Sequence, residues 1–196
     1  MTSPVIRAFI AIEMSPEIQK QLDQVSSQLK DLLQGVPIRW VKVENIHLTL
    51  KFLGDVSITN VEVIQKMLAA EVAGHHPFEI SVGELGAFPD TRRPRVIWIK
   101  VQAPPELTAV QFGIETQTER LGYAREERLF YPHLTLGRVS RGARSGDVHR
   151  ISEAFDTVKV GFLGATRVKA INLYRSDLKP GGATYTCLYS AKLIPE

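Results

Sequence analysis

Two identical tetrapeptides hold the residues of this chain best suited to moving protons: His47-Leu48-Thr49-Leu50 and, further on, His133-Leu134-Thr135-Leu136. A β-strand turns successive side chains to opposite faces. Each copy therefore sends its histidine and threonine one way and its leucines the other, so the leucines enter a core while imidazole and hydroxyl stand together on the opposite surface. If both strands face one cleft, that cleft holds two imidazoles and two hydroxyls. Imidazole titrates near neutrality, so one neutral ring can take a proton from an attacking water while a protonated ring gives one to a departing oxygen. The hydroxyls can donate to non-bridging phosphate oxygens as charge grows there. This is equipment for breaking a phosphodiester, and it asks for no metal. A lone His-x-Thr means little, but the chain has only 5 histidines and two of them fall in matching tetrapeptides.

The elements that must position these residues follow from hydrophobic periodicity. Residues 5–12 read as a strand. Ser15-Pro16-Glu17 opens a helix, with a polar cap, a first-turn proline and an acid against the helix dipole. Strands follow at 38–41 and 46–53, a helix at 57–73, strands at 78–85 and 96–101, and a helix at 105–121. The second motif begins a strand at 133–139. A Gly/Arg/Ser-rich loop at 140–146 leads to a short helix near 148–155 and strands near 158–163, 167–175 and 185–193. The Lys179-Pro180-Gly181-Gly182 turn separates the last two. Strands and helices mix, with several consecutive strand pairs, so the fold class is α+β. Each motif precedes a turn, a helix and two strands, which points to a bilobal, pseudo-symmetric single domain over residues 1–196 with one motif per lobe.

With 196 residues, 44% hydrophobic and 23% charged, the chain can bury a sizeable core. A net charge of +3 suits a phosphate-bearing partner without demanding one. Cys187 is the only cysteine, which excludes an internal disulfide and a thiolate metal cluster; its alternating surroundings suggest a buried structural thiol. Met1 to Pro4 carries no sign of a signal peptide, and no apolar run reaches the ~20 residues of a membrane span. A cytoplasmic protein with no membrane association is expected.

Further residues have both a functional and a structural reading. Lys51 shares strand parity with His47 and Thr49 and could add positive potential to the cleft, or be a surface lysine. Phe9, on one strand face with Arg7, could stack a nucleobase or pack in the core. Tyr131 shares parity with His133 and could stack a base or sit at the rim. Arg92, Arg93 and Arg95 form a basic loop that could meet an RNA backbone or simply be solvated. His75-His76 and His149 lack partners at ligand spacing, so no metal and no cofactor is expected. The absence of a Gly-rich triphosphate loop argues against ATP-driven ligation.

An ordered set of motifs resembles the 2H phosphoesterase superfamily, and within it the RNA 2′,3′-cyclic phosphodiesterases, also called 2′-5′ RNA ligase-like proteins. The set comprises Arg7 to Ile12, Asn45 to Gly54, Gly86 to Pro89, Arg93 to Trp98, Pro132 to Arg138, Tyr174 to Ser176 and Pro180 to Tyr185. The resemblance implies two antiparallel sheets lining a central cleft with helices outside. It implies an RNA or oligonucleotide substrate ending in a 2′,3′-cyclic phosphate, His47 as proton donor to the leaving 3′ oxygen, His133 as base for water, and a 2′-phosphomonoester product. A 5′-hydroxyl in place of water would form a 2′-5′ linkage. It also implies that Arg138 joins Thr49 and Thr135 in holding phosphate; a solvated strand-end charge is the competing reading. Tyr131 stands where related sequences often have a basic residue. A non-catalytic RNA-end binding module, and a phosphodiesterase for small cyclic nucleotides or 2′-5′ oligoadenylates, remain as alternatives.

Overall fold

The structure, a computed structural model, describes residues 4–180 and 182–195. In chain order it contains β1 (Val5–Glu13), α1 (Pro16–Leu32), β2 (Ile38–Trp40), a 3-10 turn at Val43–Asn45, β3 (His47–Ser57), α2 (Ile58–Val72), β4 (Phe78–Phe88) and β5 (Val96–Gln102). There follow α3 (Pro105–Arg120), β6 (His133–Val139), α4 (Ser145–Thr157), β7 (Phe162–Val168), β8 (Ala170–Lys179) and β9 (Gly182–Lys192).

The strands run β7-β4-β5-β6-β3-β1-β8-β9, with β2 against β6, and every pairing is antiparallel. This order divides into two halves. β6 ends one and β3 begins the other, and the ladder between them consists of the single pair Leu48–Leu134. Two antiparallel sheets, each carrying one motif strand, are thus joined edge to edge, which is the two-repeat α+β arrangement expected from the sequence.

Burial explains why they join there. Leu48 and Leu134 are 1% and 0% exposed and sit in a core with Ile18 and Leu22 of α1, Ile64 and Leu68 of α2, Ile114 of α3 and Ile151 of α4. Complete burial of a leucine contributes about 1.5–3 kcal/mol. The helices are therefore held against the leucine face of the sheet, and the histidine face is left open. α1 starts as expected, with the Ile18 N–H donating to the Ser15 hydroxyl at 3.4 Å.

Several boundaries differ from expectation. β7 and β8 are separated only by Lys169, where the chain passes from β4 in one half of the sheet to β1 in the other with no glycine or proline to mark the change. α4 begins at Ser145, inside the expected loop, where the Asp147 carboxylate accepts the Arg144 N–H at 2.9 Å and caps the first turn. Cys187 is exposed, not buried, since β9 is the edge of the sheet. Gly181 of the expected turn lies outside the described residues.

The largest correction concerns Lys51. Thr49 lies opposite Ala11 and Lys51 opposite Ile10, so Leu50 is an extra residue in β3. In β6, Thr135 lies opposite Trp98 and Gly137 opposite Ile97, so Leu136 is extra at the corresponding place. Each extra residue makes a β-bulge, and strand parity inverts beyond it. Lys51 is accordingly turned away from the cleft: it is 1% exposed, its Nζ donates to Glu115 Oε2 of α3 at 2.8 Å, and it also donates to the Ala124 carbonyl. The same inversion returns Phe52 and Arg138, both exposed, to the histidine face.

A buried ion pair costs most when only one partner is removed, because the survivor keeps its desolvation penalty. Glu115→Ala should therefore lose about 3–5 kcal/mol in urea unfolding. Lys51→Met/Glu115→Leu, which removes both charges, should lose much less. Equal losses would show that the pair is not desolvated as described.

Candidate active site

Continuing the register from Leu48–Leu134 sets His47 across from Thr135 and Thr49 across from His133. All four side chains line one cavity of about 260 Å³, together with Arg138, Phe52 and Tyr185. The seven positions from His47 to Leu53 have the same succession of burial as those from His133 to Val139, with the histidine and threonine half-buried and the two leucines buried. The duplication thus extends from sequence to environment.

The two imidazoles are held in the same way. His47 Nδ1 lies 2.8 Å from the Asn45 carbonyl, and His133 Nδ1 lies 2.7 Å from the Tyr131 carbonyl. A carbonyl oxygen can only accept, so each Nδ1 carries the proton of its bond and Nε2 is the nitrogen left for chemistry. A neutral ring then presents a lone pair at Nε2 and a protonated ring presents Nε2–H, with no change of orientation. Asn45 is itself fixed, its Nδ2 donating to the Ala183 carbonyl at 2.8 Å.

The surroundings break the symmetry. His47 stacks on Phe9 at 4.6 Å between ring centroids with 23° between planes, and Tyr185 meets it edge-on at 5.2 Å. Phe9 is 4% exposed and also stacks on Tyr174, so its face is occupied by the histidine it supports and is not offered to a nucleobase. His133 is met by the edge of Phe88 at 4.9 Å, with Trp98 beyond. Burial pushes the His47 pKa from 6.5 down to about 4, against the opposing effect of its bond to Asn45. Burial also lowers that of His133, where the bond to Tyr131 opposes the shift and the Arg138 guanidinium adds to it. Both shifts favour the neutral ring near pH 7, and an anion between the rings would favour protonation.

Of the other expected site residues, Arg138 reaches the cavity by way of the Leu136 bulge. The Tyr131 ring is 46% exposed and packs at the rim against Phe88 and Trp98, while its carbonyl holds His133. Lys51 is absent from the cavity wall. Sequence reasoning passed over Asn45, Phe52 and Tyr185. Asn45 could have been found, since it precedes His47 by two residues as Tyr131 precedes His133; Phe52 could not, because a bulge decides its face.

The sequence model of the LigT-like phosphoesterases matches the chain twice, over residues 12–98 and 99–185, one motif in each match. The chain is 33% identical over 181 residues to the RNA 2′,3′-cyclic phosphodiesterase of Methanothermobacter thermautotrophicus, covering 92% of this chain and 95% of that protein. Among solved structures, a protein of Thermus thermophilus superposes with a TM-score of 0.80 at 24% identity, covering 97% of this chain and 100% of the other. Escherichia coli LigT complexed with 3′-AMP superposes with a TM-score of 0.73 at 26% identity over 97% and 99% of the two chains.

The depressed His47 pKa has a consequence for stability. The folded state holds this ring neutral below the pH at which the unfolded chain protonates it. Its contribution is therefore complete above pH 6.5 and lost as pH falls towards about 4. In phosphate-free buffer the parent should lose about 3 kcal/mol more than His47→Gln between pH 7 and 4, measured by urea unfolding at each pH. Parallel stability curves would contradict the burial of this imidazole.

Proposed function

The chain belongs to the LigT-like phosphoesterase family, and from that premise we propose that it hydrolyses RNA 2′,3′-cyclic phosphate ends to 2′-phosphomonoesters with His47 and His133 as acid and base. His133 Nε2 takes a proton from water, whose oxygen forms the new bond to phosphorus. The P–O3′ bond opposite breaks, and O3′ leaves with the proton carried by His47 Nε2. The Thr49 and Thr135 hydroxyls and the Arg138 guanidinium hold the non-bridging oxygens. With a 5′-hydroxyl in place of water the same motions form a 2′-5′ linkage.

The observation that carries this reading is the matched pair of Nδ1–carbonyl bonds, which frees both Nε2 atoms in histidines that line one cavity. A module that merely gripped a phosphate would be served by permanent cations and would not need two imidazoles poised to exchange protons. Since burial favours the neutral ring in both histidines, the negative charge of the phosphate stabilises the proton that the acid takes up from solvent before the reaction. The reaction needs no metal, since the two rings handle both protons. No helix among the described residues is long and apolar enough to cross a membrane.

On an oligonucleotide ending in a 2′,3′-cyclic phosphate, His47→Ala and His133→Ala should each lower kcat by about 10²–10⁴-fold with folding retained. The parent's turnover should persist in excess chelator. Tight binding of the same oligonucleotide without turnover by the parent would leave an RNA-end binding module in place of an enzyme. A product should also bind with proton uptake at pH 7, read as a calorimetric enthalpy that varies with the ionisation heat of the buffer; a buffer-independent enthalpy would contradict the protonation step.

A further inference from the structure

Three further hollows share wall residues with the central cavity; one, about 750 Å³, is bounded by neither histidine and mixes Asp55, Glu126 and Glu127 with Arg125 and Arg128, and the two bounded by the histidines differ in charge. The one bounded by His47 is small, about 240 Å³, and carries Glu13 and Glu44 with no lysine or arginine on its wall. The one bounded by His133 and Thr49 is about 680 Å³, within the range of small-molecule sites, and carries Arg95 and Arg128 against the single carboxylate Glu126. Arg95 is steadied by donating to the Ser140 carbonyl at 3.2 Å, and neither arginine is ion-paired among the described residues. The chamber also holds aromatic surface, with Phe88 and the half-exposed Tyr131 meeting edge to face at 5.5 Å. The attacking water and the reacting phosphate do not fill this space: water is far smaller than the chamber, and the phosphate already has its holders.

An RNA chain carries one negative phosphate per nucleotide, so the glutamate-lined exit repels it and the arginine-lined exit attracts it. The geometry points to a subsite for the penultimate nucleotide in the Phe88–Arg95–Arg128–Tyr131 chamber, with its base against Tyr131 and the phosphate joining it to the terminal ribose held by the two arginines. The inference rests on the proposed reaction and adds that the substrate is a chain of at least two nucleotides, leaving the cleft on the His133 side. Sequence-tolerant recognition follows, since every base has a face to stack and every linkage has a phosphate.

The test compares adenosine 2′,3′-cyclic phosphate with the dinucleotide ApA ending in a 2′,3′-cyclic phosphate. For the parent, kcat/KM should favour the dinucleotide by about tenfold or more. In Arg95→Ala/Arg128→Ala, and separately in Tyr131→Ala, that ratio should fall towards one, and the arginine variant should also lose salt dependence on the dinucleotide. A parent ratio near one, or equal losses on both substrates, would overturn the subsite. Affinities of 2′-AMP and of ApA 2′-phosphate, measured by calorimetry, keep the two readings apart. If the parent turns over neither substrate, the proposed reaction fails, while a dinucleotide preference in binding that vanishes in the variants still supports the chamber, and equal affinities still reject it.

Discussion

One backbone pairing, Leu48 with Leu134, decides how the rest of the molecule is assembled. Among the described residues it is the only ladder pair between the two halves of the sheet, and it lies in the middle of both motifs. Because the leucines are buried on one face, the flanking histidines and threonines are obliged to share the other. A slip of one residue in either strand would expose two leucines and bury an imidazole, so the register and the facing of the two imidazoles are enforced by the same apolar contact. No dedicated scaffold is needed to bring the two rings to one cavity.

Around that pair the duplicated parts are alike in how they hold the two rings and unlike in what surrounds them. Both rings are anchored through Nδ1 to the carbonyl two residues earlier, and both strands carry a bulge after the second leucine. The walls differ: a stacked phenylalanine and tyrosines surround one ring, and a phenylalanine edge and an arginine the other. The bulge has an unlike yield as well. Beyond it, one copy places Phe52 at the cavity and the other places Arg138, an apolar wall facing a cation.

Much of this was legible before any coordinates. The two tetrapeptides, their strand alternation and the helices that cover the leucine face follow from period-2 and period-3.6 patterns that are strong in this chain. Lys51 shows where legibility stops. Its parity follows from an unbroken strand, but Leu50 adds a residue that no local pattern announces, and the partner that makes its burial tolerable, Glu115, is remote in sequence. Phe9 was legible as an aromatic near the cleft, yet whether its face meets a base or a histidine depends on the pairing of β1 with β3. The crossing between the two halves at Lys169 was hidden for a simpler reason, the lack of any glycine or proline to mark it.

The near-equivalence of the two halves has a consequence for how such a protein can change. Each ring is tuned by residues of its own neighbourhood, Phe9 and Tyr185 on one side and Phe88 and Arg138 on the other. Substitutions in one neighbourhood can therefore adjust the basicity of one nitrogen while its counterpart stays as it was. A duplicated fold of this kind lets the two imidazoles drift apart in basicity step by step, without ever dismantling the seam that keeps them at one cavity.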